Sequence, residues 1–92
     1  PQRAGGRELD INEILKEVLL LVKHRARRLR HHIEQRLDRD LPRFRADAGS
    51  LRQLFMNIII NSMYHTPEGG RITIESGPCQ DEIRGAMIEV RI

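Results

Sequence analysis

Gln53, Asn57, Asn61 and Tyr64 follow one another at helical spacing, and at about 100° per residue they fall within an arc roughly 80° wide. An ordinary solvated face would carry Lys and Glu beside such a line; here Leu54 stands on one border and Met56 and Ile60 on the other. Neutral carboxamides between aliphatic borders suit a concave, partly dry surface where hydrogen-bonding side chains meet a ligand. Asparagine is a poor interior helix residue, so two of them a turn apart need a compensating reason. Their amide oxygens could ligate a hard cation such as Mg²⁺, which favours oxygen donors and keeps several waters and substrate phosphates around it. The pattern also allows Asn57 and Asn61 simply to bond neighbouring backbone or solvent.

Other chemistries are poorly supplied. Cys79 is the only cysteine, so no internal disulfide forms, and no Cys or His stands at metal-ligand spacing around it; structural zinc is excluded. Lys and Arg number 16 against 13 acidic residues, a net charge of +3 that is too small to argue strongly for nucleic acid, and none is expected as a partner. Phe44, Phe55 and Tyr64 are the whole aromatic set, too few for the stacking platforms of single-strand binders. Val18 to Val22 is the longest apolar run, far short of the roughly 20 residues a bilayer demands. No secretory signal is recognised in the sequence as it stands.

The elements that must hold the asparagine line can be read around it. At 92 residues the chain suits one small domain. Residues 1–8, with Gly5 and Gly6, read as a linker or lead-in, and residues 9–92 as the domain. Asp10 and Glu13 have capping-box spacing, with Leu9 and Ile14 placed as a hydrophobic staple. Ile11, Ile14, Leu15, Val18, Leu19 and Val22 then predict a helix running to about Leu29. Its basic far end, which includes His24, reads as solvated, and His31 and His32 beyond it read the same way. Ile33 to Leu37 alternates as a strand, Asp38 to Pro42 turns, and Phe44 to Ala46 adds a short extended piece. Asp47 caps a second helix from Ala48 to Tyr64, whose Leu51, Phe55, Ile58, Ile59 and Ser62 are expected to face a sheet. Thr66-Pro67-Glu68-Gly69-Gly70 stops it. Ile72 and Ile74, then, after a loop over Gly77 to Gly85, Ala86 to Ile92, predict a hairpin with one buried face. The fold class expected is α+β, a two-layer α/β sandwich with the helices on one face of a mixed sheet.

The run from Leu51 to Gly70, L-R-Q-L-F-M-N-I-I-I-N-S-M-Y-H-T-P-E-G-G, resembles the N box of sensor histidine kinases, usually L-R-Q-x-x-x-N-L-x-x-N-A-x-x-x-T-P-x-G-G. Glu8 to Leu15 is similar to the opening of that family's catalytic, ATP-binding domain, and Asp40-Leu41-Pro42 with Ala46-Asp47 to its strand-turn-helix entry, so nearly the whole chain is covered. The resemblance implies a partial Bergerat-type fold, the left-handed sandwich shared with gyrase, MutL and a related chaperone. It implies ATP and Mg²⁺ as cofactors, with Asn61 as the Mg²⁺ ligand. Asn57 stands where the ATPase relatives place a glutamate base; a carboxamide cannot take a proton from water, which suits an enzyme that must keep its phosphoryl group for a protein histidine. Tyr64 departs from the Lys or Arg common at its position, and His65 falls where the family often places an aromatic or His beside the nucleotide; either could instead pack on the following turn.

The same resemblance marks what these residues do not contain. An Asp-x-Gly-x-Gly box would begin directly after Ile92; it, the later glycine box and the lid between them are absent from the sequence, as is the phosphoacceptor motif, since His24, His31 and His32 lack its acidic neighbour and proline. The chain is therefore expected to be a truncated kinase piece, inactive alone, with weak or absent nucleotide binding. Its parent would be cytoplasmic or the cytoplasmic part of a membrane sensor, acting with a histidine-containing dimerisation domain and a response regulator. The alternative is a non-catalytic module that homodimerises through an uncovered sheet edge or apolar face.

Overall fold

A computed structural model describes residues 7–81 and 85–92 of the chain. Strand β1 (Arg7–Leu9) precedes helix α1 (Ile11–Leu21), whose N-cap Asp10 accepts the Asn12 amide at 3.0 Å. The expected first helix is interrupted at Val22 and resumes as α2 (Lys23–Arg28). Val22 donates to the Val18 carbonyl at 3.1 Å and accepts from Ala26 at 2.9 Å, so the break is a bend with the helical ladder maintained. Strands β2 (His32–Leu37) and β3 (Phe44–Ala46) follow, then the long helix α3 (Ala48–His65), β4 (Arg71–Asp81) and β5 (Gly85–Arg91).

Two sheets form. The larger has the order β2-β4-β5, with β2 and β4 parallel from His32 opposite Arg71 to Leu37 opposite Ser76, and β4 and β5 antiparallel. This is the expected mixed sheet. The smaller pairs β1 with β3 antiparallel, Glu8 lying opposite Arg45. β1 was not foreseen: Arg7 and Glu8 fall in the segment read as lead-in, because a strand of three residues carries too little alternation to register as a pattern. The expected loop from Gly77 is strand as far as Asp81, paired with β5. Pro78 is tolerated there because β2 has ended at the level of Ser76, leaving β4 without a second neighbour among the described residues. Residues 82–84 of that expected loop, and 1–6 of the expected lead-in, lie outside the described residues.

One core unites the layers. Ile11, Ile14, Leu15, Val18 and Leu19 of α1 pack with Phe55, Ile59 and Met63 of α3 against Ile72 and Ile74 of β4, with Ile92 at the margin. Both long helices thus cover one face of the sheet, the face to which the period-two pattern assigned Ile72 and Ile74. Leu9 and Ile14 are both buried, as a staple requires.

Candidate functional site

Helix α3 begins at Asp47, whose carboxylate accepts the Gly49 amide at 3.3 Å and the Ser50 hydroxyl at 2.7 Å. The Ser50 hydrogen bond comes first among the causes that hold this carboxyl below the usual carboxylate range; the Gly49 and Ser50 amides and the Arg52 charge add to it, against partial desolvation. The helix buries Ala48 and then, at four-residue spacing, Phe55, Ile59 and Met63, which sets which side of α3 looks outward. Ile58, expected on the sheet side, is 40% exposed, and Met63 takes the place in the core instead. A stripe tilted along the i, i+4 row, rather than along i, i+3, moves Ile58 out and Met63 in.

Gln53, Asn57, Asn61, Tyr64 and His65 are all exposed. The surface is an open helix face, not the concave and partly dry one the flanking aliphatics suggested: Leu54 is itself 50% exposed, and only Met56 and Ile60 lean back onto the core. Along this face the Gln53 amide donates to Asn57 Oδ1 at 3.0 Å, which fixes the Asn57 carboxamide with its oxygen toward the start of the helix. Asn61, one turn on, has no side-chain partner among the described residues. Tyr64 and His65 meet edge to face, ring centroids 5.5 Å apart at 85°, at the helix end. The structure thus brings four expected residues, Asn57, Asn61, Tyr64 and His65, onto the last three turns of one helix. Carboxamide oxygens on an exposed face are the donor type a hard cation accepts, and Asn61 is the free one. No group of three or more His, Cys, Asp or Glu able to hold a metal occurs among the described residues.

The turn that ends α3 is heavily tied down. Thr66 donates its hydroxyl to the Ser62 carbonyl at 2.6 Å and Gly70 its amide to Pro67 at 2.9 Å. Gly69 has φ 83°, a conformation that favours glycine, and a Cβ on Gly70 would stand 2.9 Å from the Pro67 carbonyl oxygen. The end of α2 then grips this turn: Gly69 donates to the Leu29 carbonyl at 3.2 Å and His32 to Gly70 at 2.9 Å. His31 Nε2 lies 3.1 Å from the Thr66 carbonyl and must donate to it, leaving Nδ1 buried and without a partner. His31 was expected to be solvated with the basic helix end; it is only 8% exposed. The reason is local. His31 donates to Ala26 at 2.9 Å and Arg30 to Arg27 at 3.2 Å, a Schellman closure with Arg30 at φ 58°, and this turns the chain inward at His31.

A second buried group escaped the sequence reading. Asn12, 8% exposed, donates to the Asp38 carbonyl at 2.7 Å and accepts the Ser76 hydroxyl at 2.7 Å, while Ser76 accepts the Asp38 amide at 3.1 Å. It stands on the same helical row as Leu15 and Leu19, and a polar residue on an apolar row is the signal that could have revealed it. This network pins the start of α1 to the end of β2 and the middle of β4, and with the His31 clasp it anchors the elements on which α3 rests.

No protein-family model matches the chain. Among curated proteins it is 35% identical over 72 residues to the adaptive-response sensory kinase SasA of Synechococcus elongatus, and 30% identical over 71 residues to SasA of Thermosynechococcus vestitus. Those matches cover 78% and 77% of this chain, and the chain spans only 19% of either relative's length. Among solved structures, the catalytic domain of histidine kinase ThkA superposes with a TM-score of 0.71 at 28% identity, over 76% of this chain and 49% of that one. ThkA in complex with the response regulator TrrA gives a TM-score of 0.70 at 24% identity over 85% of this chain and 28% of that one, a likeness of fold. By sequence and by fold together, the chain is homologous to part of the catalytic domain of sensor histidine kinases.

Proposed function

We propose that this chain is the amino-terminal part of the ATP-binding domain of a bacterial two-component sensor histidine kinase. The whole protein would move the γ-phosphoryl of ATP to a protein histidine on its dimerisation domain, and from there to a response regulator, the class of partner that ThkA holds in its solved complex. The observation that carries the reading is the N-box helix: Asn57 and Asn61 a turn apart on the outward face of α3, closed by the Thr66 to Gly70 turn.

Within that reading Asn61 would hold Mg²⁺, whose charge neutralises phosphate oxygens when a nucleotide is bound. Gln53 orients Asn57 through their 3.0 Å hydrogen bond. The Asn57 amide accepts no proton at neutral pH, so it leaves water unactivated beside the phosphates. Tyr64 and His65 offer ring edges and hydrogen-bonding groups to the nucleotide at the end of the helix. Phosphoryl transfer depends on several positioned elements, and this chain carries one, so it is inactive alone.

Mn²⁺, as a paramagnetic stand-in for Mg²⁺, tests the metal role in amide NMR spectra recorded with ATP. The expected result is selective broadening around Asn57 and Asn61 that Asn61→Ala abolishes, with calorimetric affinity for Mg-ATP no tighter than about 1 mM. Broadening confined to carboxylate clusters, with α3 untouched, overturns the assignment of Asn61.

A second reading, a self-associating module, is favoured by the exposed pair Leu54 and Ile58 a turn apart on α3 and by β2, which has one strand partner among the described residues. Light scattering distinguishes it: a strictly monomeric species at 100 μM or so removes this reading.

A further inference from the structure

We infer that the groove between α1, α2 and strand β2 is a binding site for an amphipathic anion, an apolar body carrying a carboxylate or phosphate. The groove is open to solvent and offers about 430 Å³, within the range of small-molecule sites, and lies on helices and a strand that the N-box face does not use. Its apolar walls include Leu19, Leu20 and Ile33, and Leu20 stands 69% exposed at its rim, apolar surface left in water.

The charges around it have one sign. Lys16, Lys23 and Arg27 line the groove, no carboxylate does, and none of the three cations has an ion-pair partner among the described residues. Elsewhere the chain pairs such groups, as Arg52 with Glu17 at 2.7 Å and Arg36 with Glu34 at 3.1 Å. Three exposed cations beside an apolar wall repel one another only modestly in water, yet they set a positive potential over it, and an anion with an apolar body both neutralises that potential and covers Leu20. A neutral apolar ligand would leave the cations unpaired, and a hydrophilic anion such as free phosphate would leave the leucines wet.

The probes are dodecanoate and dodecyl phosphate below their micellar concentrations, against dodecyltrimethylammonium, followed by amide NMR shifts in the 92-residue chain. The expected result is saturable binding of both anions, with shifts at Leu19, Leu20 and Ile33, and at least about tenfold weaker binding of the cation. Lys23→Glu with Arg27→Glu weakens dodecanoate by at least about tenfold, whereas Arg25→Glu with Arg28→Glu, on the same helix but not lining the groove, changes it less than about threefold because charges that do not meet the bound anion act on it only through screening water. Vesicles of phosphatidylglycerol separate the sources: binding to monomeric dodecanoate and not to vesicles identifies a free amphiphile, and binding to both identifies a lipid. Equal affinity for the cationic probe, indifference to the groove charge reversals, or shifts centred away from the groove overturns the proposal.

Discussion

Removing the Asn12 carboxamide is the sharpest test of how the sheet is fastened to α1. Asn12→Ala strips the donor from the Asp38 carbonyl, bonded at 2.7 Å, and the acceptor from the Ser76 hydroxyl, also at 2.7 Å. A buried group left unsatisfied costs about 1–3 kcal/mol, and with the Ser76 hydroxyl buried and the Asp38 carbonyl part-buried the expected loss is about 2–4 kcal/mol. That is a large part of a small domain's total stability, and at about 4–8 °C per kcal/mol it lowers Tm by at least about 8 °C. Ser76→Ala orphans a different pair, Asn12 Oδ1 and the Asp38 amide, which Ser76 Oγ accepts at 3.1 Å. In the double variant only the Asp38 amide and carbonyl remain unpaired, two groups where the single variants together leave four. The double variant should therefore be less destabilised than the sum of the singles by about 1–2 kcal/mol. Urea denaturation of the four proteins measures this cycle. Additivity within about 0.5 kcal/mol, or a loss below about 1 kcal/mol for Asn12→Ala alone, refutes the network as the fastening.

Three further outcomes follow from the turns and caps. Arg30→Gly should be more stable than Arg30→Ala by about 0.5–1 kcal/mol in thermal melts, since glycine tolerates the left-handed C′ position of α2 while both variants lose the mostly exposed contact to Glu68 at 3.7 Å; equal stability refutes this. Gly70→Ala should destabilise by about 1–3 kcal/mol, because its Cβ would stand 2.5 Å from Thr66 Cγ2 and 2.9 Å from the Pro67 oxygen, and a neutral effect on denaturation would contradict that close approach. Asp47 has a lowered native acidity, so its contribution is complete above the unfolded carboxylate value of about 3.9 and is lost as pH falls through the native one. The Tm gap between the wild type and Asp47→Asn should accordingly shrink below about pH 4, and a gap constant down to pH 2 would show that the charge is not what caps the helix.

Much of the fold was readable because period and punctuation agreed. Ile11 through Val22 repeat at helical spacing after a capping aspartate, Ile72 and Ile74 alternate, and the Thr66 to Gly70 stop signal falls where α3 ends. The readings that changed involve residues whose environment is made by distant neighbours. Ile58, expected inside, stands out and Met63, which the pattern left unassigned, is buried, because the partners packed against α3 select which row is covered. His31 sits among arginines, and its sequence neighbours give no hint that a Schellman turn aims it at Thr66, 35 residues away.

The sequence by itself determined the carboxamide line, the helix that carries it, the turn that ends it and the family they resemble, since these are local features written in spacing and residue type. Only the tertiary structure decided that this line stands on an open face, that Asn12 and His31 are buried fasteners, and that Lys16, Lys23 and Arg27 surround one groove. Burial and charge convergence depend on which segments meet across the fold, and the contact between Asn12 and Ser76 spans 64 positions that no local pattern encodes.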